Sequence, residues 1–206
     1  MLILFIEKVF TMPLTPQEFS QKYNTPIAIT EKAFDRMSKK EAALMSISGR
    51  IGAGKDTSGP RLAQRVLTHG DGQIRHEFFA RAVRFEVQQI IDLIQKSQSK
   101  EDAVAKIEEQ MNVIDGSSIA DVLYDDVKTG LVLDAFSART LSSRRANQVW
   151  GTEYRRSQDE NYWVKKTMND CIITLANGSN VLITDARFPN ECDSIKDLGG
   201  ALVRLD

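Results

Sequence analysis

The feature that most constrains this chain is an apolar run, Ala43, Leu44, Met45, Ser46, Ile47 and Ser48, that breaks into Gly49, Arg50, Ile51, Gly52, Ala53, Gly54 and Lys55. The run has the length and composition of a buried parallel strand, and the residues after it match GxxxxGK. A helix is expected from about 55 to 67, with Gly59 and Pro60 awkward in its early turns. A strand, a glycine loop and a helix in that order aim backbone N–H groups and the positive helix end at one point, where phosphate oxygens bind. Gly49, Arg50, Gly52, Ala53, Gly54, Lys55, Asp56 and Thr57 are therefore the phosphate-binding candidates, and Lys55 can bridge the outer phosphates. Asp56 stands where such loops carry the magnesium-binding Ser or Thr, and Thr57 follows it. Oxygen ligands suit Mg²⁺, so Asp56 and Thr57 are the metal candidates.

Flanking patterns extend the motif into a fold. Strand character recurs at 74–80, at 181–184 and at 201–205. An amphipathic helix is marked by Val83, Val87, Ile90, Ile91 and Ile94, and a crossover helix by residues 189–198. Strands alternating with helices indicate an α/β fold with a parallel sheet. Residues 1–40 form an N-terminal extension, mostly helical. Thr15, Pro16 and Glu18 have capping-box spacing for a helix over 16–23, and Ala33, Phe34 and Met37 mark a second over about 31–41. Residues 41–206 form the main domain, in which about 81–177 are a helical insertion.

Composition narrows the partners. The 206 residues carry a net charge of −1, with 42% hydrophobic and 27% charged side chains, which suits an ordinary globular domain and provides no cationic field for a nucleic-acid backbone. The apolar residues 1–6 meet Glu7 and Lys8 too soon for a membrane span or secretory signal, so a cytoplasmic protein is expected. Cys171 and Cys192 have no metal-site or disulfide spacing and read as reduced thiols. His69 and His76 lack a partner constellation and read as structural or surface residues.

A second constellation follows the 181–184 strand: Asp185, Arg187, Phe188, Pro189, Asn190 and Glu191. Open α/β sheets place ligand-binding residues at the carboxyl ends of their strands, and Asp185 has that position. Five arginines, Arg139, Arg144, Arg145, Arg155 and Arg156, concentrate in the inserted region. They read either as a lid that closes on phosphates or as a solvated helical face paired with Asp159 and Glu160. Trp150 reads either as core or as a binding residue.

Together these residues resemble the phage-type deoxynucleoside monophosphate kinases, of the P-loop kinase group that includes adenylate kinase. The resemblance rests on GxxxxGKDT at 49–57, on Phe79, Ala80 and Arg84, on Gln148, Gly151, Thr152, Glu153, Arg156 and Trp163, and on ITDARFPNE at 183–191, and it spans about 43–205. It implies a three-layer P-loop NTPase fold and ATP-dependent, Mg²⁺-dependent conversion of a dNMP to a dNDP, in the host cytoplasm if the chain is phage-encoded. The catalytic candidates are Lys55, Asp185 and Arg156. The acceptor-binding candidates are Arg84, Gln148, Gly151, Thr152, Glu153, Trp163 and Asp185, with Trp163 offering a flat face to the base. Arg139, Arg144, Arg145 and Arg155 are the lid candidates.

Three departures keep other readings open. Ile51 and Gly52 occupy a stretch that is often basic in the family, and Arg81 stands where an acid usually follows Phe-Ala. The family's pattern also continues beyond residue 206 into a further helix and strand. In the family's strand order, 2-3-1-4-5, the strand at 201–205 is the fourth, so the last edge strand is expected to be missing. An open edge invites association, and the choices are a truncated product, a homodimer, or cover by residues 1–40. The competing functions are a kinase of another small molecule, such as one resembling phosphomevalonate kinase, and a degenerate domain that binds nucleotide without turnover.

Overall fold

The computed structural model describes residues 4–7, 13–49, 55–67, 72–132, 134–136 and 141–205. Its elements run in the order β1 (Leu4–Glu7), α1 (Pro16–Tyr23), α2 (Ile27–Ser38), β2 (Leu44–Gly49), α3 (Lys55–Val66), β3 (Ile74–Glu77), α4 (Phe79–Gln95), α5 (Lys100–Gln110) and α6 (Ser117–Lys128). There follow α7 (Leu141–Gln148), a π-helix (Val149–Arg155), α8 (Arg156–Gln158), α9 (Tyr162–Ala176), β4 (Asn180–Ile183), α10 (Pro189–Asp197) and β5 (Ala201–Leu205). They divide into two compact units, a sheet unit of Met1–Phe79 with Trp163–Asp206 and a helical unit of Ala80–Tyr162. The fold is α/β, and its sheet is parallel except at one edge.

Among the described residues the strands form one five-stranded sheet in the order β1-β5-β2-β4-β3. β5, β2, β4 and β3 are mutually parallel, with Ser46 opposite Ile183 and opposite Leu202. The apolar runs of the inner strands follow from burial on both faces. Met45, Ile47, Leu182 and Val203 pack with Ala63 and Leu67 of the α3 segment on one face. On the other, Leu44, Val181 and Ile183 meet Val164, Met168, Cys171, Ile172 and Leu175 of α9 and Ile195 of α10. Adjacent residues change face because side chains along a strand alternate.

The edge expected to be open beside β5 is filled. β1 pairs with β5 antiparallel, Leu4 opposite Leu205 and Glu7 opposite Leu202. Of the three choices left by the sequence, cover by the N-terminal residues is the arrangement found.

Residues 13–40 also join the sheet unit. Thr15 caps α1 as its spacing predicts: its hydroxyl oxygen accepts from the Glu18 N–H, and Glu18 accepts from the Thr15 N–H at 2.9 Å. Phe19, 0% exposed, and Tyr23 enter the α9 face of the core, and burying a phenylalanine stabilises by about 1.5–3 kcal/mol. Tyr23 and Lys22 both donate to Asp197 Oδ2, at 2.5 and 2.7 Å, which ties α1 to α10. Arg36 Nε donates to the carbonyl of Ala176 at 3.0 Å, satisfying the C-terminal end of α9. α2 starts at Ile27 rather than 31, because Pro26 supplies the first accepting carbonyl and Thr30 Oγ1 donates to it at 2.9 Å. β3 ends at Glu77 instead of 80, since Phe79 already opens α4.

In the helical unit the stripe read from α4 is its buried face: Val87, Ile90, Ile91 and Ile94 are fully buried. Ala103 and Ile107 of α5 and Ile119, Ala120 and Leu123 of α6 are also buried in this unit. The Ser99 hydroxyl accepts from the Asp102 N–H at 3.2 Å and starts α5.

Candidate functional site

The carboxyl ends of β2 and β4 carry the described members of the first group of predicted residues. β2 ends at Gly49 and α3 begins at Lys55. Arg50, Gly52, Ala53 and Gly54 lie outside the described residues, as do the side chains of Lys55 and Asp56. Thr57 is exposed in the first turn of α3. Ala63 and Leu67 pack the helix segment on Met45, Ile47, Leu182 and Val203, and a Cβ on the buried Gly59 would meet Ile47 and Thr184. Pro60 sits inside α3 without breaking it, although it has no N–H for the Asp56 carbonyl.

β4 delivers Asp185 to the same edge. With Ser46 opposite Ile183, Asp185 comes level with Ser48, one residue before the end of β2. Its Oδ1 accepts from the Phe79 N–H at 2.9 Å, so the carboxylate caps α4 as well as standing at the strand end. The rest of the ITDARFPNE block is explained by local structure. Pro189 occupies the first turn of α10, and the buried Glu191 carboxylate accepts from the N–H groups of Arg187 and Phe188 at 2.7 and 3.1 Å. Arg187 is exposed.

The helical unit holds the other described predicted residues except Trp163, several of them on or beside the π-helix. A π-helix closes i→i+5 bonds, so residues four and five apart flank a given side chain. Tyr154 accordingly stacks on Trp150, with ring centroids 5.1 Å apart and planes at 7°, while the Arg155 guanidinium lies 4.8 Å from the Trp150 ring. The same guanidinium lies 4.7 Å from the Tyr162 ring, so two aromatics flank it. Below them is Glu86, a carboxylate 3% exposed in α4. Its Oε2 accepts from Trp150 Nε1 at 2.8 Å and Arg155 Nε at 3.2 Å, and its Oε1 accepts from the Tyr162 hydroxyl at 2.6 Å. Arg155 Nη2 also donates to the Met111 carbonyl at 2.8 Å. Burial and then the Glu86 hydrogen bond push the Tyr162 hydroxyl well above the ordinary tyrosine range.

These contacts overturn the lid assignment of Arg155. It is 7% exposed and structural, because the π-helical register turns it onto Glu86. Trp150 is core at 1% exposure. Gly151 has a packing reason: a Cβ there would lie 3.0 Å from Val83 Cγ1, so glycine lets the π-helix approach α4. Trp163 is likewise corrected. At 1% exposure in the sheet unit it offers no face to a base, because it begins the buried stripe of α9 that continues through Val164, Thr167, Met168 and Cys171.

Gln148, Glu153 and Arg145 are brought together on the surface of the helical unit. Arg145 pairs with Glu153 through both terminal nitrogens, Nη2 to Oε2 at 3.0 Å, and Gln148 Nε2 donates to Glu153 Oε1 at 3.1 Å. An amide, a carboxylate and a guanidinium side by side can match the donor and acceptor edge of a planar ligand. Thr152, Arg84 and Arg144 are exposed in this unit, Arg156 is half-buried in α8, and Arg139 lies outside the described residues.

Glu86 is the residue that sequence reading missed. Its signal was an acid set between Val83, Val87 and Ile90 on the apolar face of α4. Cys171 and Cys192 are free thiols, and burial pushes the Cys171 thiol up. Among the described residues no three His, Cys, Asp or Glu side chains gather as a metal site, and no helix is long and apolar enough to cross a membrane. No protein-family model matches the chain, and neither a curated protein nor a solved structure is detectably similar to it.

Proposed function

We propose that the chain is a P-loop kinase that transfers the γ-phosphoryl group of ATP to a deoxynucleoside monophosphate, giving ADP and a dNDP. The observation that carries this reading is that β2 ends at Gly49 and β4 leads into Asp185, at the carboxyl ends of two adjacent parallel strands, with α3 following β2 and its Gly59 close to Ile47 and Thr184. Supporting it, the parallel strands run β3-β4-β2-β5, which is the order 2-3-1-4 counted from the strand before the glycine loop and is that of nucleoside monophosphate kinases.

Each group then has a task. The loop amides and the α3 N-terminus bind the ATP phosphates, and Lys55 bridges the outer ones. Asp56, Thr57 and Asp185 carry the hard oxygen ligands that would hold Mg²⁺, and the ion, when bound, would supply charge neutralisation on the phosphates. Arg84, Arg144 and Arg156 provide guanidinium groups for phosphate oxygens, and Gln148 with Glu153 reads the edge of the acceptor base. A phosphate oxygen of the dNMP attacks the γ-phosphorus, and the bond to the ADP oxygen breaks.

The test is ADP release from the purified chain with Mg-ATP and each of dAMP, dCMP, dGMP and dTMP, with phosphomevalonate as a control acceptor. Release with a dNMP supports the reading, and release with phosphomevalonate alone replaces it by the other small-molecule kinase. A second reading, nucleotide binding without turnover, is favoured by the withdrawal of Arg155 and Trp163 into the two cores. It predicts ATP binding by calorimetry with no ADP release from any acceptor.

A further inference from the structure

The burial of Trp163 leaves the proposed acceptor without an aromatic platform, and the helical unit has another. Arg81, Arg84, Phe85 and Gln88 recur at helical spacing on α4 and share one side of it. Gln88 Oε1 accepts from the Ala135 N–H at 2.7 Å, which fixes the turn at 134–136 to the helix. The turn is set by Asp134, whose Oδ1 accepts from the Phe136 N–H at 2.7 Å. The Phe136 ring therefore sits against Phe85, centroids 5.1 Å apart at 70°, and the Arg81 guanidinium lies 5.3 Å from the Phe85 ring.

This pair is organised yet solvent-facing: Phe85 is 49% and Phe136 43% exposed. Two polar anchors hold it, and cations border it through Arg81 and the exposed Arg84. Aromatic faces bordered by guanidinium groups fit a flat π-system that carries an anion. A nucleoside monophosphate is such a ligand.

We propose that Phe85 and Phe136 form the stacking platform for the acceptor base, with Arg81 and Arg84 facing its phosphate. The inference rests on the kinase reading above and assigns the substrate contact that Trp163 does not provide. It also gives a use to Arg81, the residue whose charge is reversed relative to the family pattern.

The experiment measures acceptor and ATP KM values for the full chain and for Phe85→Ala, Phe136→Ala, Phe85→Tyr and Phe136→Tyr, using the dNMP that releases most ADP. Far-UV circular dichroism of each variant checks that it is folded, as half-exposed positions should allow. The alanine variants are expected to raise the acceptor KM about tenfold while the ATP KM holds, since loss of one stacking partner has that scale; the tyrosine variants, which keep the ring, stay near wild type. An acceptor KM unchanged in both alanine variants would overturn the platform and leave the kinase reading standing. Absence of ADP release by the wild-type chain with every dNMP would overturn both.

Discussion

Replacing Glu86 by glutamine keeps its shape and removes its charge, which isolates what the buried carboxylate does. Three donors converge on it, from Trp150, Arg155 and Tyr162. The side chains of the Glu86–Arg155 pair are 5% and 9% exposed. Breaking a buried pair from one side costs roughly 3–5 kcal/mol, because the remaining charge stays desolvated. Arg155 would retain the Met111 carbonyl and two aromatic faces, and the glutamine oxygen would still accept one donor, so the lower end applies, about 3 kcal/mol. For a chain of this length that is a fall in Tm of roughly 6–12 °C, at 2–4 °C per kcal/mol. Urea unfolding followed by circular dichroism, with calorimetry for Tm, gives both values. The double variant Glu86→Gln with Arg155→Met should lose less than the two single variants added together, since neither leaves an orphaned charge in the other's presence. A loss below about 1 kcal/mol for Glu86→Gln, the range of an exposed pair, would refute the claim that this carboxylate organises the helical unit.

Gly151→Ala should destabilise by roughly 1–2 kcal/mol through overpacking on Val83, and Val83→Ala in the same chain should recover part of that loss in the same urea assay. Lys55→Ala should abolish ADP release while the melting temperature and circular dichroism stay at wild-type values; turnover in that variant would remove the phosphate-binding role. At high pH the sign follows from Tyr23 and Tyr162, both raised chiefly by burial and next by carboxylate hydrogen bonds. The folded state keeps protons that the unfolded state releases above about pH 10. Stability should therefore be intact below that value and fall as pH rises through it, and the decline should be shallower in Tyr23→Phe than in wild type.

Local patterns made much of this molecule legible. The capping box at Thr15 and Glu18, the stripe of α4 and the strand at 201–205 all depend on neighbours close in sequence, and each stands where its pattern predicts. β1 was not legible as a strand of the sheet because its partner is at the other end of the sequence, and no local propensity encodes that pairing. Arg155 was not separable from Arg144, Arg145 and Arg156 because a π-helix and an α-helix diverge by too little over seven residues for composition to tell them apart. Once the register is known, Arg155 turns to Glu86, while Arg145 turns to Glu153 on the surface. Trp163 misled in another way: a residue matching a family motif was assigned a ligand role while its own stripe along α9 already announced a core position.

Among the described residues β1 has a single neighbour and a direction opposite to the other strands, whereas β2 and β4 are each flanked on both sides. Translated into amide hydrogen exchange, this is a ranking: protection should be greatest in β2 and β4 and least in β1, where separation of four residue pairs releases the strand. The polarity adds a second consequence. Because β5 accepts an outer neighbour running against it, the outermost place in this sheet does not prescribe how the occupying segment is connected to the rest of the chain.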